Sequence, residues 1–319
     1  MISSILHSRK PTHPRRLSGI LPGNSQRDAH RPHTSQSKIA LVRLRPQGHD
    51  LALSIRRPFG IAQGAPPPMS SPTTSKDRLA AVADRLVAAR RQGSRVALAG
   101  ADVPKDYEEG FAIQDKVVAA LASPVIGWKV MEVPGGPVIF APILQSGRLA
   151  PGGTWEVAGR EPAGIELEIA FRFGSDVPPG ATPAQVLDAV AAAHVVFELC
   201  QSRIADPGKQ PRHVMLADCI ANAGIVIGPE IAGWRSQDLK ARPGRLLVDG
   251  TVHIEGKSVD PVAALQMLPP VLAARGKRLA AGQIVITGSL IGMNWLTSRH
   301  TLEGIVDGCG TVAIELAAA

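Results

Sequence analysis

Beyond Pro124 the sequence breaks into short β-branched and aliphatic runs, each closed within a few positions by glycine, proline or aspartate. Runs of this length and composition read as strands: Val125 to Val130, Ile165 to Phe173, Val195 to Leu199, Ile225 to Ile227, Leu246 to Val248, Val252 to Ile254, Ile284 to Thr287 and Val312 to Leu316. Asp249-Gly250 sits between two of them, and both residue types tolerate positive φ, so the pair predicts a tight hairpin. Helical stretches interleave with the strands. Thr182-Pro183 supplies an N-cap followed by proline at the first helical position and predicts a helix to about Ala193; others are expected over Val214 to Ala223 and Pro261 to Arg275. Hairpins mixed with isolated helices point to an α+β architecture rather than a regularly alternating, doubly wound sheet.

Upstream of Pro124 the period changes to 3.6. Thr74 and Asp77 form a capping pair before the apolar stripe Leu79, Val82, Leu86 and Ala89, which ends at Gly93. A second helix follows Asp106, with Phe111, Ile113, Val117, Val118 and Leu121 on its buried side. Residues 69–123 are therefore expected to form a helical N-terminal subdomain, and residues 124–319 the larger α+β domain.

The net charge of +8 suggests a polyanionic partner until the charge is located. Residues 1–68 carry eleven Lys or Arg against two Asp or Glu, leaving 24 basic against 25 acidic groups in the rest. That basic segment, rich in Arg, Ser and Pro, lacks any sustained period and is expected to be disordered. It superficially resembles a transit peptide, but Pro11, Pro14 and Pro22 interrupt any long amphipathic helix. An over-long gene start, with the protein proper beginning at Met69, is the favoured alternative. The near-neutral remainder, with one tyrosine and six phenylalanines in the whole chain, argues against nucleic-acid binding, because base-stacking platforms are poorly supplied. No apolar run is long enough to span a membrane as a helix, and a soluble, cytoplasmic protein is expected. Cys200, Cys219 and Cys309 lack metal-site or disulfide spacing and read as reduced thiols.

Chemistry is expected where acids interrupt apolar strands. Glu166 and Glu168, two apart in Gly164-Ile165-Glu166-Leu167-Glu168-Ile169, leave the same strand face about 7 Å apart. By themselves they are compatible with a solvated face. Glu198, however, lies within His194-Val195-Val196-Phe197-Glu198-Leu199-Cys200, where a carboxylate needs a partner to make burial tolerable. A divalent cation shared by the three would compensate them all; oxygen ligands favour Mg2+ or Mn2+ over calcium, and zinc least.

The sequence resembles the 2-keto-4-pentenoate hydratase group of the fumarylacetoacetate hydrolase superfamily over residues 75–316. The resemblance rests on Gly127-Trp128-Lys129-Val130, Ile165 to Ala170, Phe197-Glu198-Leu199 running to Ser202-Arg203-Ile204, Asp218, Gly282 to Leu290, and Gly308-Cys309-Gly310-Thr311-Val312. It implies a mixed β-roll fold and a homo-oligomer. It also implies Glu166, Glu168 and Glu198 as metal ligands, Lys129 and Asp218 as catalytic residues, and Arg203, Thr287 and Ser289 as substrate-binding residues. The implied substrate is a small 2-oxo acid. Lys129 would move protons or bind the substrate carboxylate, helped if burial and the metal lower its pKa.

Two departures stand out. Where the family often has an acidic residue in a Pro-Asp-Phe-Gly-like segment, Pro137-Val138-Ile139-Phe140-Ala141 puts Ile139 in the acidic place, and Asp218-Cys219-Ile220-Ala221 stands where Asp-Asn-Ala-Ser is common. Glu132, His213 and His300 are the candidates to replace the missing acid. The leading expectation is hydration of a 2-hydroxypenta-2,4-dienoate-type acid to a 4-hydroxy-2-oxo acid. Decarboxylation of an oxo-enoate diacid of the 4-oxalocrotonate type, carbon–carbon bond hydrolysis, and a catalytically inactive binding protein are the alternatives.

Overall fold

A computed structural model describes residues 74–157, 162–297 and 299–317. The basic segment 1–68 lies outside them. In chain order the helices are α1 (Ser75–Gln92), α2 (Tyr107–Leu121), α3 (Pro183–Asp188), α4 (Arg212–Ala217) and α5 (Pro261–Ala273). The strands are β1 (Val125–Glu132), β2 (Val138–Leu144), β3 (Arg148–Leu149), β4 (Thr154–Glu156), β5 (Ala163–Phe173), β6 (Val190–Cys200), β7 (Asn222–Glu230), β8 (Pro243–Val248), β9 (Thr251–Lys257), β10 (Ile284–Ser289), β11 (Asn294–Leu296), β12 (His300–Val306) and β13 (Gly310–Ala317).

The expected α+β architecture is present as two mixed sheets. The larger runs β2-β1-β10-β5-β6-β7-β3, with β11 also on β5; the smaller runs β4-β13-β12-β8-β9. Neighbours β1 and β10 are parallel, whereas β10-β5-β6-β7 are antiparallel throughout. One face of β5 and β6 looks toward the smaller sheet, where Leu167 and Phe197 join Leu246, Leu302 and Val312 in one core. The sheets approach closely at Gly304: a Cβ there would lie 2.5 Å from Leu167 Cδ1 and 2.7 Å from Phe197 Cε1.

The helical N-terminal part forms as its sequence demands. Thr74 and Asp77 close a capping box on α1, Gly93 ends it at φ 69°, and Asp106 caps α2. Leu79, Val82 and Leu86 pack with Ile113 and Val117 and with Val214 of α4. The Asp249-Gly250 turn has φ of 51° and 76°, as expected of the hairpin joining β8 and β9.

Two expected helix ends move. The helix from Thr182 stops at Asp188, and β6 begins at Val190, because Ala192 and Ala193 pair with Arg172 and Phe171 of β5. Helix formation by alanine is a weak preference that a full ladder of strand hydrogen bonds overrides. The helix expected through Ala223 ends at Ala217, and a turn carries the chain into β7. The strand β2, with Pro142 inside it, was not expected; it lies at the sheet edge, where proline is tolerated. No helix among the described residues is long and apolar enough to cross a membrane.

Candidate active site

The strand register brings the acidic residues together. Glu166 pairs directly with Glu198 across β5 and β6, and Glu168 pairs with Val196, so all three leave the face opposite the Leu167–Phe197 core. Lys129 reaches the same face from β1, whose register sets it beside Ile286 of β10. Ala170, Val196, Ile225 and Ile286 form an aliphatic cluster bordering the acids. That border dries the site and makes each charge costly.

The lysine neutralises only part of that charge. Lys129 Nζ donates to both oxygens of Glu198 at 2.8 Å, lies 3.9 Å from Glu166 Oε2 and donates to Ile220 O at 3.4 Å. Asn222 Nδ2 also donates to Glu198 Oε1, at 2.8 Å. Glu168 Oε2 accepts from the Gly288 N–H at 2.6 Å, and Gly288 has φ 114°, a conformation that favours glycine. One oxygen each of Glu166 and Glu198 lies within 4.8 Å of the other and of Cys200 Sγ. Glu168 is outside that group, yet it feels the charge of both other carboxylates.

The electrostatics follow. Burial, opposed by Lys129 and reinforced by Glu198, pushes the Glu166 carboxyl up to about 7. Burial and then the charges of Glu198 and Glu166 push Glu168 well above the carboxylate range. Burial pulls the Lys129 ammonium down, but Glu198, with Glu166 and Glu168 adding to it, more than reverses this and holds it above its ordinary value. The lowered lysine pKa considered from sequence is therefore not found in the protein alone. Burial likewise raises the Cys200 thiol and keeps it neutral. Three carboxylates facing one ammonium leave a deficit of up to two positive charges, which a divalent cation with oxygen ligands would fill.

Lys129, Glu166 and Glu168 line a cleft of about 410 Å³ between the large sheet and α5, while Glu198 is fully buried and is not among its lining residues. Thr287, Gly288 and Ser289 line it, as do Met131, Val259, Ala263 and Met267, with Glu132 and Asp260 as further acids. The expected substrate residues Thr287 and Ser289 are thus in the cleft, where their hydroxyls donate to Ile169 O at 2.9 Å and Gly292 O at 3.1 Å. Arg203 and Asp218 are not. They are buried against each other, Arg203 Nε to Asp218 Oδ1 at 2.6 Å, and Arg203 borders a separate cavity of about 230 Å³. Ile139 is fully buried in β2, opposite Met131. Of its suggested replacements, Glu132 lines the cleft, while His213 packs edge-on to Tyr107 and His300 pairs with Asp249. Sequence reasoning missed Asn222 and the Gly288 amide. No charge or period marked Asn222, and a backbone donor leaves no mark beyond a glycine after a strand.

Two known proteins are similar to part of this chain. A 2-hydroxyhexa-2,4-dienoate hydratase from Comamonas testosteroni is 29% identical over 155 residues, and a 2-keto-4-pentenoate hydratase from Burkholderia vietnamiensis is 30% identical over 153. Over these stretches the chain is similar to hydratases of the 2-keto-4-pentenoate type. The matched stretches cover 47% and 46% of this chain and span 58% of the length of each relative. No family model matches. In fold, the chain is similar to 4-oxalocrotonate decarboxylase from Pseudomonas putida G7, solved with magnesium and adipate. The TM-score is 0.69 at 18% identity, over 76% of this chain and 99% of that one. The same enzyme solved with calcium and acetate gives 0.68 at 19%.

Proposed function

We propose that this chain is a divalent-metal-dependent hydro-lyase that adds water to an unsaturated 2-oxo acid bearing a single carboxylate, of the 2-hydroxypenta-2,4-dienoate type, giving a 4-hydroxy-2-oxo acid. The observation that carries this reading is the mixed lining of the cleft, which joins Lys129, Glu166 and Glu168 to the apolar Met131, Val259, Ala263 and Met267. A 2-oxo acid has the same mixed character, with its carboxylate and keto oxygens at one end and an apolar unsaturated tail.

Glu166, Glu168 and Glu198 would hold Mg2+ or Mn2+. Such an ion, when bound, supplies Lewis-acid stabilisation of the negative charge that develops on the keto oxygen. The protein's own groups account for the remainder. Lys129, kept an ammonium by its carboxylate neighbours, is suited to pair with the substrate carboxylate or to deliver a proton. Glu132, on the cleft wall, is the carboxylate suited to carry a proton to or from the added water in the role that Ile139 cannot fill. The apolar wall shields the unsaturated tail from bulk solvent.

Decarboxylation of a diacid draws support from the likeness of fold, but a second substrate carboxylate needs a cation. Among the described cleft residues there is no arginine and no lysine besides Lys129, whereas Glu132 and Asp260 would repel an anion. Hydrolysis of a carbon–carbon bond would draw support from a histidine–glutamate pair set to activate water, and none of the described histidines lines the cleft.

The test mixes the full chain with 2-hydroxypenta-2,4-dienoate and with its dicarboxylate relatives, in Mg2+ or in a chelator. Loss of the dienol absorbance with water uptake, only on the monoacid and only with metal, is expected. Carbon dioxide release from a diacid would overturn the hydratase reading in favour of the decarboxylase, and metal binding without turnover of any substrate would favour a binding protein.

A further inference from the structure

Asp218 and Arg203 stand outside the cleft, yet their contacts lead back to it. Arg203 surrounds Asp218: its N–H donates to Oδ2 at 2.8 Å, its Nε to Oδ1 at 2.6 Å and its Nη2 to the Asp218 carbonyl at 2.8 Å. Its Nη1 donates to the carbonyls of Gln201 and of Asn222, the latter at 3.2 Å. Both residues are buried.

Between Asp218 and Asn222 the chain passes through Cys219, Ile220 and Ala221 with φ of 51°, 50° and 62°. Side chains with a Cβ avoid this region, a β-branched isoleucine most of all, and none of the three is glycine. Such a conformation persists only where the surroundings over-determine it. Here Arg203 grips both ends of the turn, Arg90 Nη1 donates to Asn222 O at 3.1 Å, and Ala221 O accepts from the Gln201 N–H at 2.9 Å. The turn delivers two polar groups to the cluster of Lys129 and Glu198. Ile220 O accepts from Lys129 Nζ at 3.4 Å, and Asn222 Nδ2 donates to Glu198 Oε1 at 2.8 Å.

We infer that the Arg203–Asp218 pair is a positioning device, which holds the left-handed turn 219–221 so that the Asn222 side chain orients the Glu198 carboxylate for a cation. Asn222 is on this view a positioning residue acting through Glu198, and Asp218 acts through the turn rather than on the substrate. The inference rests on the metal-binding reading proposed above and adds to it a dependence on groups that touch neither metal nor substrate. Outer hydrogen-bond partners of this kind fix the ligand's orientation before the ion arrives.

Mn2+ binding to the full chain, followed by the paramagnetic resonance signal of the free ion, reads metal affinity without turnover. Asn222→Ala is expected to weaken Mn2+ binding about ten- to a hundredfold, while the melting transition of the metal-free protein stays close to that of the wild type. Arg203→Lys, which keeps the charge but loses the fork that grips the turn, is expected to weaken binding in the same direction. If the wild type takes up no Mn2+, the metal reading fails and this inference with it. If the wild type binds and Asn222→Ala binds equally well, the inference alone is overturned. Should alanine at 222 prevent folding, Asn222→Leu keeps the volume without the donor, and wild-type affinity in that variant overturns the inference.

Discussion

Two buried clusters of charge lie on either side of Asn222, and they are built on opposite plans. Around Arg203 one cation meets one carboxylate, and backbone carbonyls with the Ser202 hydroxyl satisfy what remains. Around Lys129 one cation meets three carboxylates, with Glu166 raised to about 7 and Glu168 higher than a carboxyl ordinarily lies. A saturated cluster has nothing left to bind; an unsaturated one stores a demand for positive charge. Burial of ionisable residues is common to both, and only the balance of charge separates the structural cluster from the binding one.

The sharpest way to break that contrast is to remove one partner from each side. Lys129→Met should lower turnover by about 10² to 10⁴ in a steady-state assay with the dienoate, with the fold retained by circular dichroism. Asp218→Asn, by contrast, should cost about 3–5 kcal/mol of stability in urea unfolding, since it leaves the Arg203 guanidinium buried without its counter-charge. A smaller effect is expected from the ion itself: Mg2+ at a hundred times its Kd should stabilise the protein by about 2.7 kcal/mol, seen as a rise in Tm, and Glu198→Ala should abolish that rise.

The pH dependence has a fixed sign. Glu166 titrates higher in the folded protein than in the unfolded chain, so the folded state holds more protons between the ordinary carboxyl value of 4.5 and about 7. Stability of the metal-free protein should therefore fall as pH rises through that window. Melting scans in a chelator from pH 4.5 to 7.5 would display the slope, and saturating Mg2+ should flatten or reverse it. A metal-free protein that gains stability over the same range would contradict the charge imbalance.

The unsaturated cluster was legible in the sequence because acids within apolar strands violate the expected pattern at a readable period. Glu198 stood out in that way, Glu166 and Glu168 by themselves fitted a solvated face, and antiparallel pairing of β5 with β6 supplied the contact that spacing alone could not. The saturated cluster was not legible. Asn222 fell inside a stretch that reads as helix, and a left-handed turn of cysteine, isoleucine and alanine carries no glycine to announce it. The strand β12 was also missed, although Leu302, Gly304 and Val306 alternate inward, because a glycine in the middle of a run reads as an interruption. Its purpose depends on what faces it across the core, which lies far away in the chain.

That glycine has a consequence for how such a protein can diverge. Leu167 and Phe197, the side chains that leave no room for a methyl group at position 304, sit between Glu166 and Glu168 and immediately before Glu198. Any enlargement of residue 304 would be felt by the backbones that carry the acids, on the far side of the sheet. Mutational drift at a site with no chemistry of its own is thereby coupled to the placement of the acids, and a search for destabilising substitutions should find position 304 among the least forgiving in the smaller sheet.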